Sequence, residues 1–146
     1  MQSPLRFKVL FAFLSMPPAT DTVDPGCRVG RLRIIFCLPQ TINHDGFIGP
    51  APSQWPMYPL AYVAWFTRFK ASPDSNMGMY HVQPAKNSTG QEQGCILPLA
   101  NIRQSCMLTP SRATWDHTWT SQNVLEKCDS FFVNNLQSKY SYQTIY

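Results

Sequence analysis

Residues 120–140 carry the one long, sustained helical period in the chain, and any fold must find cover for one side of it. Leu125, Cys128, Phe132 and Leu136 recur at steps of three, four and four, and Val124, Phe131 and Tyr140 widen the stripe. Gln122, Glu126, Lys127, Ser130 and Lys139 are left for a wet face. This spacing predicts an amphipathic C-terminal helix. Phe131-Phe132-Val133 followed by Asn134-Asn135 is a run of modest helix formers, so such a helix must draw its stability from burial. The expected cover is the chain's other apolar run, residues 60–69. Leu125, Cys128, Phe132 and Leu136 are also the candidate interaction surface, should a partner supply the cover instead.

Proline sets the second constraint. Thirteen prolines stand in 146 residues, where average usage of about 5% would give about seven. Each breaks a helix or restricts a strand. Charged residues make up 14%, well under the usual proportion of about 25%. The expectation is a small, irregular α+β fold of low secondary-structure content: the C-terminal helix, one or two short strands, and long Pro-rich loops, with part of the chain disordered.

Residues 1–20 form an apolar segment with weak signal-peptide character. Arg6 and Lys8 precede a short apolar run, but a cut after Ala19 would put Pro17 where a small residue is wanted. Within 21–48, residues 28–38 read as a strand, with Leu32, Ile34, Phe36 and Leu38 on one face and Arg31 and Arg33 on the other. Asn43-His44-Asp45-Gly46 reads as a turn, after which Phe47-Ile48 pairs back. Residues 49–59, with four prolines, read as a linker of polyproline character. Residues 60–70 are continuously apolar, which leaves helix and buried strand both open. Residues 71–94 read as a polar, mobile loop, with Tyr80-His81-Val82 as at most a short strand, and residues 95–146 as helical, beginning at Pro98.

No pattern argues for chemistry. Cys95, Cys106, His117 and Cys128 are spaced eleven apart, but Pro98 and Pro110 interrupt the run and no local ligand pair exists, so no metal site is assigned. Asp116-His117 are neighbours in sequence and do not face each other on a helix. The eight carboxylates are scattered, and no phosphate-binding, nucleophile-elbow or metalloprotease motif occurs. No catalytic residue and no cofactor are assigned, and the chain is read as non-enzymatic. Trp65-Phe66-Thr67-Arg68-Phe69-Lys70 interleaves aromatic and basic groups, as single-strand binders do, but lacks the glycine of an RNA-recognition motif. The net charge of +4 lies wholly in residues 1–73, which is no nucleic-acid signature. No apolar run is long enough to span a membrane. Asn87-Ser88-Thr89 is a glycosylation sequon in a polar stretch.

Three functional expectations follow. The first is a small non-catalytic protein-interaction module, binding another protein or itself. The second is a translated reading frame without a selected role, because its local signals agree poorly with one another. The alternative to both is a secreted, disulfide-containing glycoprotein, which must accommodate an odd count of five cysteines. The reading favours an intracellular chain, with secretion as the alternative.

Overall fold

The apolar run at residues 60–70 resolves as a strand. In a computed structural model, which describes residues 7–9, 28–111 and 116–134, strand β5 (Leu60–Trp65) lies between β2 (Gly30–Phe36) and β7 (Gly94–Pro98), antiparallel to both. As the central strand, β5 buries Leu60 and Ala64 between its neighbours on one face as well as Ala61, Val63 and Trp65 on the other, which explains the continuous apolar sequence. Ala61, Val63 and Trp65 point to one face and form a buried cluster with Ala85 and Leu97, flanked by Leu32, Leu99 and Ile102. Full burial of a side chain such as Val63 stabilises by about 1.5–3 kcal/mol.

A second sheet has the order β1 (Phe7–Val9), β8 (Cys106–Pro110), β9 (Phe131–Asn134), β6 (Tyr80–Val82), again antiparallel throughout. Its buried cluster takes Val82, Cys106, Leu108, Phe131 and Val133 from the strands. Val29 and Phe66, just beyond the ends of β2 and β5, join the same cluster, as do Trp119, Val124 and Cys128. The chain therefore passes from one core into the next at the end of β5, between Trp65 and Phe66.

A third, two-stranded sheet pairs β3 (Thr41–His44) with β4 (Phe47–Pro50). Its loop is Asp45-Gly46, both at positive φ (50° and 80°), the backbone that a two-residue hairpin with matching twist requires. Asn43 Oδ1 accepts from Gly46 N at 3.2 Å. The expected turn and pairing of Phe47-Ile48 thus hold, and the strand within residues 28–38 holds as β2.

The C-terminal helix does not. The residues expected to form one helix over 120–140 form instead a single short helix, α1 (Val124–Lys127), a turn, and the strand β9. Phe131 and Val133 alternate into the core while Phe132 and Asn134 lie on the opposite face. Leu125, Cys128 and Phe132 therefore share no helical stripe; Leu136 and Tyr140 lie outside the described residues. The reason is non-local. Phe131-Phe132-Val133 is aromatic and β-branched, and it has two partners, with Phe131 opposite Val82 on one side and Pro110 on the other. The α+β fold with low secondary-structure content is overturned with it. Among the described residues, nine strands in three antiparallel sheets dominate, and helix is confined to α1 and one 3-10 turn at Leu99–Asn101.

One further expectation holds in part and one is corrected. Within residues 71–94, read as a polar loop with at most a short strand at Tyr80-His81-Val82, that strand forms as β6. A small hairpin follows whose base bonds to β5, with Ala85 N donating to Trp65 O and Trp65 N to Gln93 O, at 2.8 and 2.7 Å. Residues 95–146 are helical in their described part only at the 3-10 turn after Pro98 and at the four-residue α1; Cys106 opens β8, and β9 follows α1. The strands reach into the Pro-rich 49–59 stretch at Pro50, and Ala51 N donates to Gln40 O at 2.8 Å. The N-terminal segment lies outside the described residues except for β1.

Candidate interaction surface

One face of the β2–β5–β7 sheet carries a cross-strand row of three large apolar side chains. Ile34 stands opposite Tyr62, and Tyr62 opposite Ile96. Directly opposite residues share a face, so the row runs straight across the sheet. Its ends are open: Ile34 is 55% exposed and Ile96 59%. Phe36, Leu60 and Pro98 form the next row along. Pro98 also lines an open apolar depression together with Tyr58, Pro59, Leu99 and Ala100.

Two local features set this row in place. Between Leu32 and Ile34 the ladder shifts by one residue, leaving Arg33 as a bulge. A bulge reverses the alternation, so Leu32 packs toward Val63 while Ile34 turns to the other face. Leu32 and Ile34, expected on one face, lie on opposite faces. The second feature is Gly94. A β-carbon there would meet Tyr62 Oη at 2.6 Å and the Val63 carbonyl at 2.8 Å, so only glycine lets the Tyr62 ring lie across β7.

Ion pairs border the sheet. Arg31 meets Glu126 at 2.6 Å, and Arg33 reaches Glu92 at 2.7 Å and Glu126 at 3.3 Å. The hydrogen bond from Arg31, with Arg33 adding to it, holds the Glu126 carboxyl below its ordinary pKa. Burial works against the Arg33 charge, but Glu92 and Glu126 outweigh it and Arg33 stands above its ordinary value. Both arginines are thus neutralised within the chain. The β3–β4 hairpin exposes more apolar surface, with Phe47 77% and Ile48 70% exposed.

The residues singled out in sequence are dispersed. Cys128 is buried and its Sγ donates to Ser130 O at 3.0 Å; Leu125 is half-buried against the same core; Phe132 is half-buried, its ring 5.4 Å from that of His81. These three do not form a common surface. Of the eleven-residue series, Cys106 and Cys128 are core side chains, whereas Cys95 and His117 are exposed. Among the described residues no group of three or more His, Cys, Asp or Glu is placed to hold a metal. Burial pushes the Cys106 thiol well above its ordinary pKa. Cys37, Cys95, Cys106 and Cys128 are free thiols, and Cys27 lies outside the described residues.

In the basic-aromatic segment, Trp65 and Phe66 are buried, so their faces are closed to stacked bases. Arg28, not one of the segment's own cations, sits 4.8 Å from the Trp65 ring centroid and donates from Nε to Phe66 O at 3.0 Å. Phe69 packs on Tyr80. Among the described residues no helix is long and apolar enough to cross a membrane.

The row itself escaped sequence reasoning. The period of two places Ile34 on one face with Leu32 because nothing local marks Arg33 as a bulge, and Ile96 meets Tyr62 only through pairing across more than thirty residues. Comparison with protein-family models, with curated proteins and with solved structures finds no match for the chain.

Proposed function

We propose that this chain is a non-catalytic interaction protein that self-associates through the open face of the β2–β5–β7 sheet. The observation that supports this reading is the Ile34–Tyr62–Ile96 row. It is nearly palindromic, with a branched aliphatic group on each side of an aromatic ring. A two-fold axis through Tyr62 would set Ile34 of one copy against Ile96 of the other, which is the self-complementarity that an isologous interface demands. Apolar surface of this kind, bordered by charges already paired within the chain, is poorly served by water.

Its size suits a reversible contact. Ile34, Tyr58 and Ile96 are each a little over half exposed and Phe36, Tyr62 and Pro98 half-buried, so, with a fully exposed aromatic side chain at 150–250 Å², the six offer roughly 400 Å² per copy. That lies at the transient, low end of interface sizes, below the typical value of about 800 Å² per partner.

Sedimentation equilibrium tests the reading. The wild-type chain should show a reversible monomer–dimer equilibrium in the micromolar range, and Ile96→Lys should abolish it while leaving the monomer's melt unchanged. A strictly monomeric wild type at high micromolar concentration, or a dimer indifferent to both Ile96→Lys and Ile34→Lys, contradicts it.

A further inference from the structure

We infer that Asn87 is an acceptor site for an N-linked glycan, a modification independent of the self-association proposed above. The sequon Asn87-Ser88-Thr89 sits at the tip of the small hairpin that follows β6. Lys86 bridges Glu92, Asn87 N donates to Gln91 O at 2.8 Å, and Gly90 N donates to Asn87 O at 3.0 Å. Gly90 has φ of 80°. This is a three-residue loop closed by a left-handed glycine, with asparagine at the turn's first position, where its side chain is favoured. The hairpin is not adrift: Ala85 at its base is buried, and Arg33 pairs with Glu92 on its return strand.

The geometry separates the two ends of the Asn87 amide. Oδ1 accepts from Thr89 Oγ1 at 2.7 Å, Gln91 N at 2.9 Å and Thr89 N at 3.0 Å. Three donors on the oxygen fix the side-chain torsions and leave Nδ2 to the side chain of Gln91. The nitrogen's hydrogen bond is a long one, 3.3 Å, to Oε1 of Gln91, itself an exposed side chain. Residues 86–93 are all exposed. A β-carbon added at Gly90 would meet nothing within 4 Å. The reacting amide therefore sits on an exposed hairpin tip, where a bulky substituent displaces only the long bond to the exposed Gln91 side chain and no core group.

The reaction needs one co-substrate, an oligosaccharide carried on a polyprenyl diphosphate. The Asn87 amide nitrogen attacks the anomeric carbon, the nitrogen–carbon bond forms, and the bond from that carbon to the diphosphate oxygen breaks with its electron pair. The amide loses one proton and the lipid diphosphate leaves. No oxidant or reductant is involved. Thr89 supplies the hydroxyl that makes the tripeptide an acceptor.

The test is translation of the full chain behind a cleavable leader in the presence of glycosylation-competent microsomes. Most of the translocated, protease-protected chain should gain a single step in mass that an N-glycosidase removes. The step should vanish in Asn87→Gln and Thr89→Ala and persist in Ser88→Ala. Because the readout is mass, a variant that folds poorly is still informative. The glycosylated and unmodified chains should give the same limited-proteolysis pattern after release. Protected chain without a glycosidase-sensitive step, a step that survives Asn87→Gln, or rapid degradation of the glycosylated form alone overturns the assignment.

Discussion

Phe131 of β9 meets Phe66, the residue after β5, edge to face, with ring centroids 5.9 Å apart and planes at 89°. This contact joins the apolar run at residues 60–69 to the C-terminal segment, the two stretches that the sequence suggests must cover each other. It does so through Phe131 and a strand, where helical spacing would have used Phe132.

The two phenylalanines therefore discriminate between the architectures. Phe131 is fully buried, so Phe131→Ala should cost about 3–5 kcal/mol, as large-to-small changes of buried aromatics do. Phe132 is half-buried beside His81, and Phe132→Ala should cost clearly less. Urea melts of the two variants give the order. A larger loss at Phe132 would restore the helical stripe.

What could be read from the sequence depended on whether the deciding contact was local. The β3–β4 turn was legible because Asn43, Asp45 and Gly46 carry their own backbone requirements. β2 was legible as a strand from its period of two, but its phase was not, because the bulge at Arg33 arises in pairing with β5. The run 60–70 left helix and strand open because burial on both faces erases periodicity. In residues 120–140 the steps linking Leu125, Cys128 and Phe132 fit a helical period, while the competing period of two spans only Phe131 and Val133. What decides between them is β6 and β8, some fifty and twenty residues away. In residues 71–94 the short strand at Tyr80–Val82 was legible, but the hairpin after it was not, because its order comes mainly from backbone bonds to β5, with only Ala85 buried. The candidate surface was the least legible part, since its rows exist only once three distant strands are aligned.

Gly30 should not tolerate a side chain. A β-carbon there would collide with Val63 Cγ1 and lie 3.1 Å from the Trp65 ring. Val63 is fully buried and cannot swing aside. Gly30→Ala should destabilise by about 1–3 kcal/mol, the usual range for overpacking, read as a lower urea midpoint with unchanged slope. An unaltered midpoint would mean that β2 and β5 are not in this register.

Glu126 links α1 to β2 through Arg31 and Arg33. Its side chain is about half exposed, so Glu126→Gln should cost no more than about 1 kcal/mol at neutral pH and low salt. Because the folded-state pKa is depressed, the pair's contribution is present above the unfolded-state pKa and is lost as pH falls through the lower folded-state value. Wild type and variant should therefore converge in stability in acid and in high salt. A gap that widens on acidification would show that the carboxylate is not held by these arginines.

Thiol reactivity should divide the four described cysteines. Cys37 and Cys95 are exposed, whereas Cys106 and Cys128 are buried and burial raises the Cys106 pKa. The thiolate is the reactive form. Brief alkylation of the native protein, mapped by mass spectrometry, should label Cys37 and Cys95 and spare the buried pair until denaturant is added. Labelling of Cys106 at the rate of Cys95 would place β8 outside the core.

Native-state hydrogen exchange resolved by residue tests most directly whether β5 and β9 are inner strands of the two sheets. The slowest amides should lie in residues 61–64, bonded to neighbours on both sides, and in 131–133, bonded to β6 and β8. Residues 128–130, between α1 and β9, should exchange faster than either. Uniformly fast exchange across residues 60–65, or unbroken helix-like protection from 120 through 134 with none at β5, would contradict this fold.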